Sequence, residues 1–326
     1  MREFALLDRI FALNAQLPAS VLIPPGDDMA LVSLAGCDRV LVAADSAIEG
    51  RHAPLGCDPY LIGRKAMLRN LSDVAAMGAA RPVATIACAV LPRGIDEARA
   101  WRLAEGLRET ASAWGAPLVG GDIATMPATV EHAPIIASVT ILAVPLSPSA
   151  RVATRADARV GDGVYVTGTI GGAWDAATGL GRHLDFTPRI AAAHALAAAL
   201  GDRLGAMIDV SDGLGRDLGH IASRSKVAME LELAGVPCAA GIAPREAIGH
   251  GEDYELAFTA RGEVPREVAG VRVTRIGTVV PGAGEVRVHD GKTWFEASAR
   301  GFEHDGGHDG GHDGRHDGRH DGGGAA

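Results

Sequence analysis

Apolar positions along this chain fall into two rhythms. Runs rich in β-branched residues at 39–44, 83–90, 135–144, 164–167, 255–259 and 272–279 read as strands. Between them the apolar residues recur at helical spacing. Asp58-Pro59 opens one such stretch, a capping carboxylate followed by proline at the first helical position, and Leu61, Leu68, Leu71 and Ala75 then share a face until Gly78. Residues 96–114, 189–200 and 212–225 carry the same rhythm. Residues 1–17 place Arg2, Glu3, Asp8 and Arg9 among apolar neighbours, the pattern of an amphipathic helix and not of a signal peptide. The most apolar run, 133–146, is shorter than the roughly 20 residues needed to cross a bilayer and is β-branched, so it predicts a buried strand and no membrane partner.

Strands and helices are mixed in both halves, which predicts an α/β or α+β class in two lobes. Pro145, Pro148 and Ser149, just after the long apolar strand, mark the expected boundary between a domain at 1–146 and a domain at 147–303. Residues 304–326 repeat a His-Asp-Gly unit with no apolar residue before the terminal alanines and cannot bury a core. That tail reads as a solvated low-complexity segment, with a transition-metal tract as the other reading.

Composition sharpens this picture. The chain has 326 residues, too long for one ordinary core, and 47% hydrophobic with 22% charged residues is globular. The net charge of -9 argues against nucleic acid as a partner, because phosphate backbones are held by clustered Lys and Arg. Cys37, Cys57, Cys88 and Cys238 form no C-x-x-C pair and fit neither a disulfide framework nor a zinc site; they read as reduced thiols of a cytoplasmic protein.

Acidic residues gather beside glycines at the ends of the predicted strands, in segments that each read as a turn presenting a carboxylate. They are Asp27-Asp28, Ala44-Asp45, Asn70 to Asp73, Gly120 to Asp122, Asp209 to Gly213, and Gly251 to Tyr254. One Asp-Gly turn is ordinarily only a turn. Six together imply cations, since unpaired carboxylates brought to one place repel each other, and oxygen ligands select Mg²⁺ or Ca²⁺. Mg²⁺ in turn suggests nucleotide phosphates. Gly291-Lys292-Thr293 ends like a P-loop, but the glycine required five residues earlier is Val286. There is no G-x-G-x-x-G after a strand, no H-E-x-x-H and no G-x-S-x-G. A phosphate site in this chain is therefore expected to consist of Asp, metal and backbone.

In order, Pro25-Gly-Asp-Asp-Met-Ala-Leu-Val, Asp45-Ser-Ala-Ile-Glu-Gly-Arg-His52, Asn70-Leu-Ser-Asp-Val-Ala-Ala-Met-Gly and Gly120-Gly-Asp are followed by Gly161-Asp-Gly-Val-Tyr-Val-Thr-Gly, Ile208-Asp-Val-Ser-Asp-Gly-Leu and Gly251-Glu-Asp-Tyr-Glu-Leu-Ala-Phe-Thr. Over about residues 3 to 303 this series resembles the thiamine-monophosphate kinase family. The resemblance implies the two-lobed fold shared with aminoimidazole ribonucleotide synthetase, and a homodimer in which N-terminal lobes pair their sheets. It implies transfer of the γ-phosphoryl group of ATP to thiamine monophosphate with several Mg²⁺ ions and no covalent nucleophile. Carried over by position, it implies Asp28, Asp45, Asp73, Asp122, Asp209 and Asp212 as metal ligands, and Gly121, Arg155 and Ser211 at ATP. His52, Glu252 and Phe302 would meet the thiamine moiety, with Glu252 facing its cationic or amino groups. Asn70 and Met77 are expected to be structural.

The chain departs from that family's pattern at Ala43-Ala44, at Ile123-Ala124 and at Gly172-Ala173, where hydroxyl or acidic side chains are usual. Two other readings stay open. One is an ATP-dependent synthetase or ligase of the same superfamily, disfavoured by the Gly-Glu-Asp-Tyr-Glu-Leu segment. The other is a metal- or nucleotide-binding protein without turnover.

Overall fold

The helix foreseen at Asp58-Pro59 forms as α1 (Pro59–Ala76). The Asp58 side chain accepts a hydrogen bond from the Tyr60 N–H, and Pro59 stands in the first turn. The structure is a computed structural model that describes residues 21–23, 27–33, 39–127, 129–130 and 133–302. The helix expected at 1–17 and the His-rich tail lie outside these residues.

Two sheets flank α1. The first orders β1 (Val21–Ile23), β2 (Ala30–Ser33), β3 (Arg39–Ile48), β4 (Ala80–Leu91), β5 (Leu118–Thr125) and β6 (Ile136–Pro145) as β1-β2-β3-β6-β4-β5. Its pairs are antiparallel except β4 with β5, which are parallel and joined by the crossover helix α2 (Glu97–Ala113). The second sheet orders β7 (Gly163–Thr167), β8 (Leu204–Asp209), β9 (Ala228–Glu232), β10 (Leu256–Ala260), β12 (Val271–Val280), β13 (Val286–His289) and β14 (Trp294–Glu296) as β14-β13-β9-β12-β7-β10-β8, with β11 (Glu267–Val268) against β12. Helices α3 (Ile190–Leu200), α4 (Leu214–Ser225) and the short α5 (Pro244–Ala247) complete it. Residues 146–162 carry the chain from one sheet to the other.

Alternation explains the first sheet. Ala137, Val139, Ile141 and Ala143 of β6 are buried while their neighbours are half-buried, and α1 lies on the buried face. α1 itself is enclosed nearly all round, by the first sheet, α2, α3 and β8, which is why Lys65, Asn70 and Ser72 are buried alongside Leu68, Leu71 and Val74. One core cluster runs across the chain from Leu68 and Ile141 to Leu196, Met207 and Phe258. A second lies within the second lobe, where Leu218 and Ile221 of α4 meet Ile208, Met229 and Val279.

The structure extends and moves several expected elements. The strand expected at 39–44 continues to Ile48, so Asp45 is within β3 and not in a turn. Asp73 stands in α1 and Asp122 in β5, again inside regular elements. Strands β5, β8, β9, β13 and β14 carry too few contiguous β-branched residues, or too many glycines, to stand out locally. The helix expected from 212 begins at Leu214, because Gly213 takes φ +121°. Gly291-Lys292-Thr293 is a hairpin tip in which Asp290 accepts from the Lys292 and Thr293 N–H groups, an ordinary Asx turn.

α1 and α2 approach through glycines. A Cβ at Gly106 would lie 2.1 Å from the Tyr60 carbonyl oxygen, and one at Gly63 would lie 2.4 Å from that of Leu103. Gly106→Ala should cost about 1 to 3 kcal/mol by forcing the helices apart, outweighing the roughly 1 kcal/mol that alanine gains in helix propensity. Urea unfolding checks this, and an unchanged or raised midpoint would refute the close contact.

Candidate active site at the junction of the two sheets

Three carboxylates from distant parts of the chain meet beside α1. Asp28 follows β1, Asp73 projects from α1, and Asp209 ends β8; each offers an oxygen, all within 4.8 Å of one another. Protein groups hold two of them. Arg155 grips Asp28 with two hydrogen bonds, of 3.1 and 2.8 Å, and its own N–H donates to Asp27 at 2.5 Å. The Ser72 hydroxyl donates to Asp209 at 2.6 Å. Burial, then the charges of Asp209, Asp45 and Asp28, push the Asp73 carboxyl well above the usual range. Burial and Asp28 do the same to Asp209, against the pull of Ser72 and Arg155. Such a group either holds protons or holds a cation, and three clustered oxygen donors are the ligand chemistry of a hard divalent ion.

A second group lies one turn away in the chain. Asp212, Asp217 and His220 also bring ligand atoms within 4.8 Å of one another. Asp217 accepts from the Asp212 and Gly213 N–H groups, both at 3.1 Å, at the start of α4. Burial, then Arg155 and Arg216, lower His220 to about 4, so its imidazole is neutral near pH 7 as a metal ligand requires. Sequence reading missed Asp217 and His220; their spacing of three on one face of α4, just beyond Asp212, is the signal that could have found them.

Asp45 and Asp122 belong to neither group. Asp45 is engaged by Arg69, whose Nε donates to it at 2.7 Å while Nη1 donates to the Ser46 carbonyl at 2.8 Å. Asp122 is exposed on β5. Gly121 beside it has a packing duty: a Cβ there would stand 1.8 Å from the Ala87 carbonyl oxygen on β4. Asn70 donates to the Ala66 carbonyl at 2.9 Å and is fully buried, and Met77 is buried too, so both have structural places as expected.

The Gly-Glu-Asp-Tyr-Glu segment runs against the Asp209 to Asp212 turn. The Glu252 N–H donates to the Ser211 carbonyl at 2.7 Å and the Tyr254 N–H to that of Val210 at 2.8 Å. Gly251 is required there, since a Cβ would lie 2.7 Å from the Ser211 carbonyl oxygen. Glu252 and Tyr254 take φ +67° and +51°, a strained backbone that neighbours must hold in place. This turns both side chains toward α1. Lys65, wholly buried, contacts Glu252 at 2.5 Å, the His52 carbonyl at 2.6 Å and His183 Nδ1 at 2.7 Å. The Tyr254 hydroxyl donates to Glu252 at 3.0 Å. Burial opposes charge on Glu252, but Lys65 and Arg69 overcome it and hold the carboxyl at about 2. Burial draws Lys65 down to about 8 against the pull of Glu252, so both are charged at neutral pH. Glu252 therefore offers lone pairs to a ligand while its charge is already balanced.

Aromatic groups line the same region. Trp174 faces His183 at 4.3 Å between ring centroids and has Lys65 over its ring at 5.6 Å. The Phe302 ring lies 4.3 Å under the Arg51 guanidinium, next to His52, and its N–H donates to the Asp212 carbonyl at 2.8 Å. His52 and Glu252 thus meet at Lys65, the unforeseen centre of a buried cluster, while Phe302 packs on Arg51, the residue before His52.

Residues 26–144 match the family model described as AIR synthase related protein, N-terminal domain. A thiamine-monophosphate kinase from Mycobacterium tuberculosis is 37% identical over 316 residues, covering 90% of this chain and 89% of that protein. One from Haemophilus influenzae is 32% identical over 339 residues, covering 93% and 98%. The structure of AaThiL complexed with AMPPCP and TMP superposes with TM-score 0.74 at 28% identity, over 93% of this chain and 97% of that one. The two-lobed fold is common to these proteins.

Proposed function

The chain belongs to the thiamine-monophosphate kinase family, and from that premise we propose that it transfers the γ-phosphoryl group of ATP to thiamine monophosphate, giving thiamine diphosphate and ADP. The observation that carries this reading is the adjacency of an acidic cluster, Asp28, Asp73 and Asp209, to the buried Lys65–Glu252 pair with its aromatic neighbours Tyr254 and Trp174. The complex of AaThiL with AMPPCP, an ATP analogue, supports ATP as co-substrate.

Transfer to a phosphate acceptor needs no proton abstraction, because the acceptor is already anionic near pH 7. The difficulty is bringing two highly negative groups into line. Asp28, Asp73 and Asp209 would hold Mg²⁺, and Asp212 with Asp217 and His220 a second cation. Mg²⁺, when bound, supplies the positive charge that offsets the phosphates. Arg155 and Ser211 lie beside these ligands, where they would orient ATP, with Gly121 as a further backbone contact. His52, Glu252 and Phe302 would seat the thiamine moiety, Glu252 as a hydrogen-bond acceptor. The fit to Mg²⁺ rests on the donor set, which is all carboxylate at the first site.

A homodimer through the first sheet completes the reading. β5 is an open sheet edge, and Val119 and Ile123 on it are 63% and 69% exposed, an arrangement that invites pairing with a second copy. Among the described residues no helix is long and apolar enough to cross a membrane, which is compatible with a cytoplasmic enzyme. Incubation with ATP, Mg²⁺ and thiamine monophosphate should yield thiamine diphosphate and ADP in equal amounts. ADP release dependent on another acid or amide, with none for thiamine monophosphate, would instead identify a synthetase.

A further inference from the structure

We propose that Arg69 is a resident cation of this site: it removes Asp45 from the metal-ligand set and offers its remaining donors to a phosphate oxygen. The inference rests on the kinase reading for the identity of that phosphate. Asp45 stands on β3 facing α1, and its carboxylate is already bridged by Arg69 at 2.7 Å. A guanidinium keeps its proton at every working pH, so it cannot leave Asp45 by deprotonating. A divalent ion could reach Asp45 only by displacing a short, charge-assisted bond.

Position gives Arg69 a further role. Arg69 lies on α1 four residues after Lys65 and four before Asp73, so the three share one face of the helix. It therefore stands between the acidic cluster and the Lys65–Glu252 pair, the two parts between which a phosphoryl group would pass. Its side chain is 15% exposed. Two of the five guanidinium N–H groups are engaged, by Asp45 and the Ser46 carbonyl, and the others have no hydrogen-bond partner among the described residues. A mostly buried guanidinium with unused donors is an anion site, and the planar fork suits phosphate oxygens. The lack of side-chain hydroxyls at Ala43-Ala44 fits the same picture, and the one hydroxyl beside Asp45 on β3, that of Ser46, is engaged by Ser138 at 2.7 Å.

The test counts metal ions with Mn²⁺ alone, by electron paramagnetic resonance on the full chain, and separately measures turnover. Asp45→Asn should leave Mn²⁺ stoichiometry unchanged and affinity within about twofold. Arg69→Met should bind one more Mn²⁺ per chain, and Arg69→Met combined with Asp45→Asn should lose it again. In turnover, Arg69→Met should raise the KM for thiamine monophosphate at least about tenfold, the scale of one charge-assisted hydrogen bond, and Arg69→Lys should recover part of that loss. Loss of a Mn²⁺ in Asp45→Asn alone, or no gain in a folded Arg69→Met, would overturn the proposal. An unchanged KM in Arg69→Met would overturn the phosphate contact. Wild-type chain that follows the metal pattern but forms no thiamine diphosphate would defeat the kinase reading and leave the pairing of Arg69 with Asp45 supported.

Discussion

Asp73→Asn should abolish most thiamine diphosphate formation, by on the order of a hundred- to a thousandfold, while making the metal-free protein more stable. The two effects share one cause. Asp73 is buried beside Asp209, Asp45 and Asp28, and its carboxyl is held well above its ordinary pKa. A carboxyl whose folded pKa lies above its unfolded value costs stability at every pH above that folded value, and the cost fades as pH falls through it. Asparagine keeps the shape and removes the charge. In chelator at neutral pH the variant should melt a few degrees above the wild type. Wild-type stability should also rise as the pH is lowered, and less so in the variant. Mg²⁺ should raise the melting temperature of the wild type and have little effect on Asp73→Asn, because binding to the folded state alone is stabilising. Scanning calorimetry with and without Mg²⁺ measures this directly; a variant that melts lower in chelator, or one that retains turnover, would contradict the electrostatic account.

Lys65→Met should have the largest effect on stability, a loss of about 3 to 5 kcal/mol. Methionine matches the volume of the lysine stem but leaves the Glu252 carboxylate, the His52 carbonyl and His183 Nδ1 without the ammonium they share. Glu252 then stands charged, only 17% exposed, with Arg69 as the remaining cation nearby. Adding Glu252→Gln should recover part of the loss, since the cost comes from an uncompensated charge and not from a cavity. Urea midpoints for the two variants decide it. A double variant no more stable than the single one would mean that packing around α1, and not charge, sets the effect.

Arg69 and Lys65 lie one turn apart on α1 and serve different ends of the same site. Lys65 balances Glu252 so that a carboxylate can sit buried there, and Arg69 balances Asp45 so that an acidic ring can close without a cation at every member. An acidic chain can in this way gather carboxylates while limiting how many metal ions it requires.

Much of this was legible along the chain. Asp58-Pro59 fixed the start of α1 because capping and the fixed φ of proline are local effects. The order of the acidic and glycine-rich segments identified the family. The turns assigned to Asp45, Asp73 and Asp122 were not turns. A carboxylate beside small residues looks alike in a loop, on a helix facing a polar site and on a sheet edge, since nothing local records what it faces.

Composition and motif order determined the class of fold, the family and its phosphate chemistry, because these follow from residue types and their order along the chain. Which carboxylates come together was decided only in three dimensions: Asp28, Asp73 and Asp209 are drawn together from a loop, a helix and a strand end, while Asp45 is claimed by Arg69 and Asp122 stands on an open edge. Charges interact through space over a few ångströms, and the partners that set each one's role lie far off in the chain, Arg155 being 127 residues from Asp28 and Ser72 137 from Asp209.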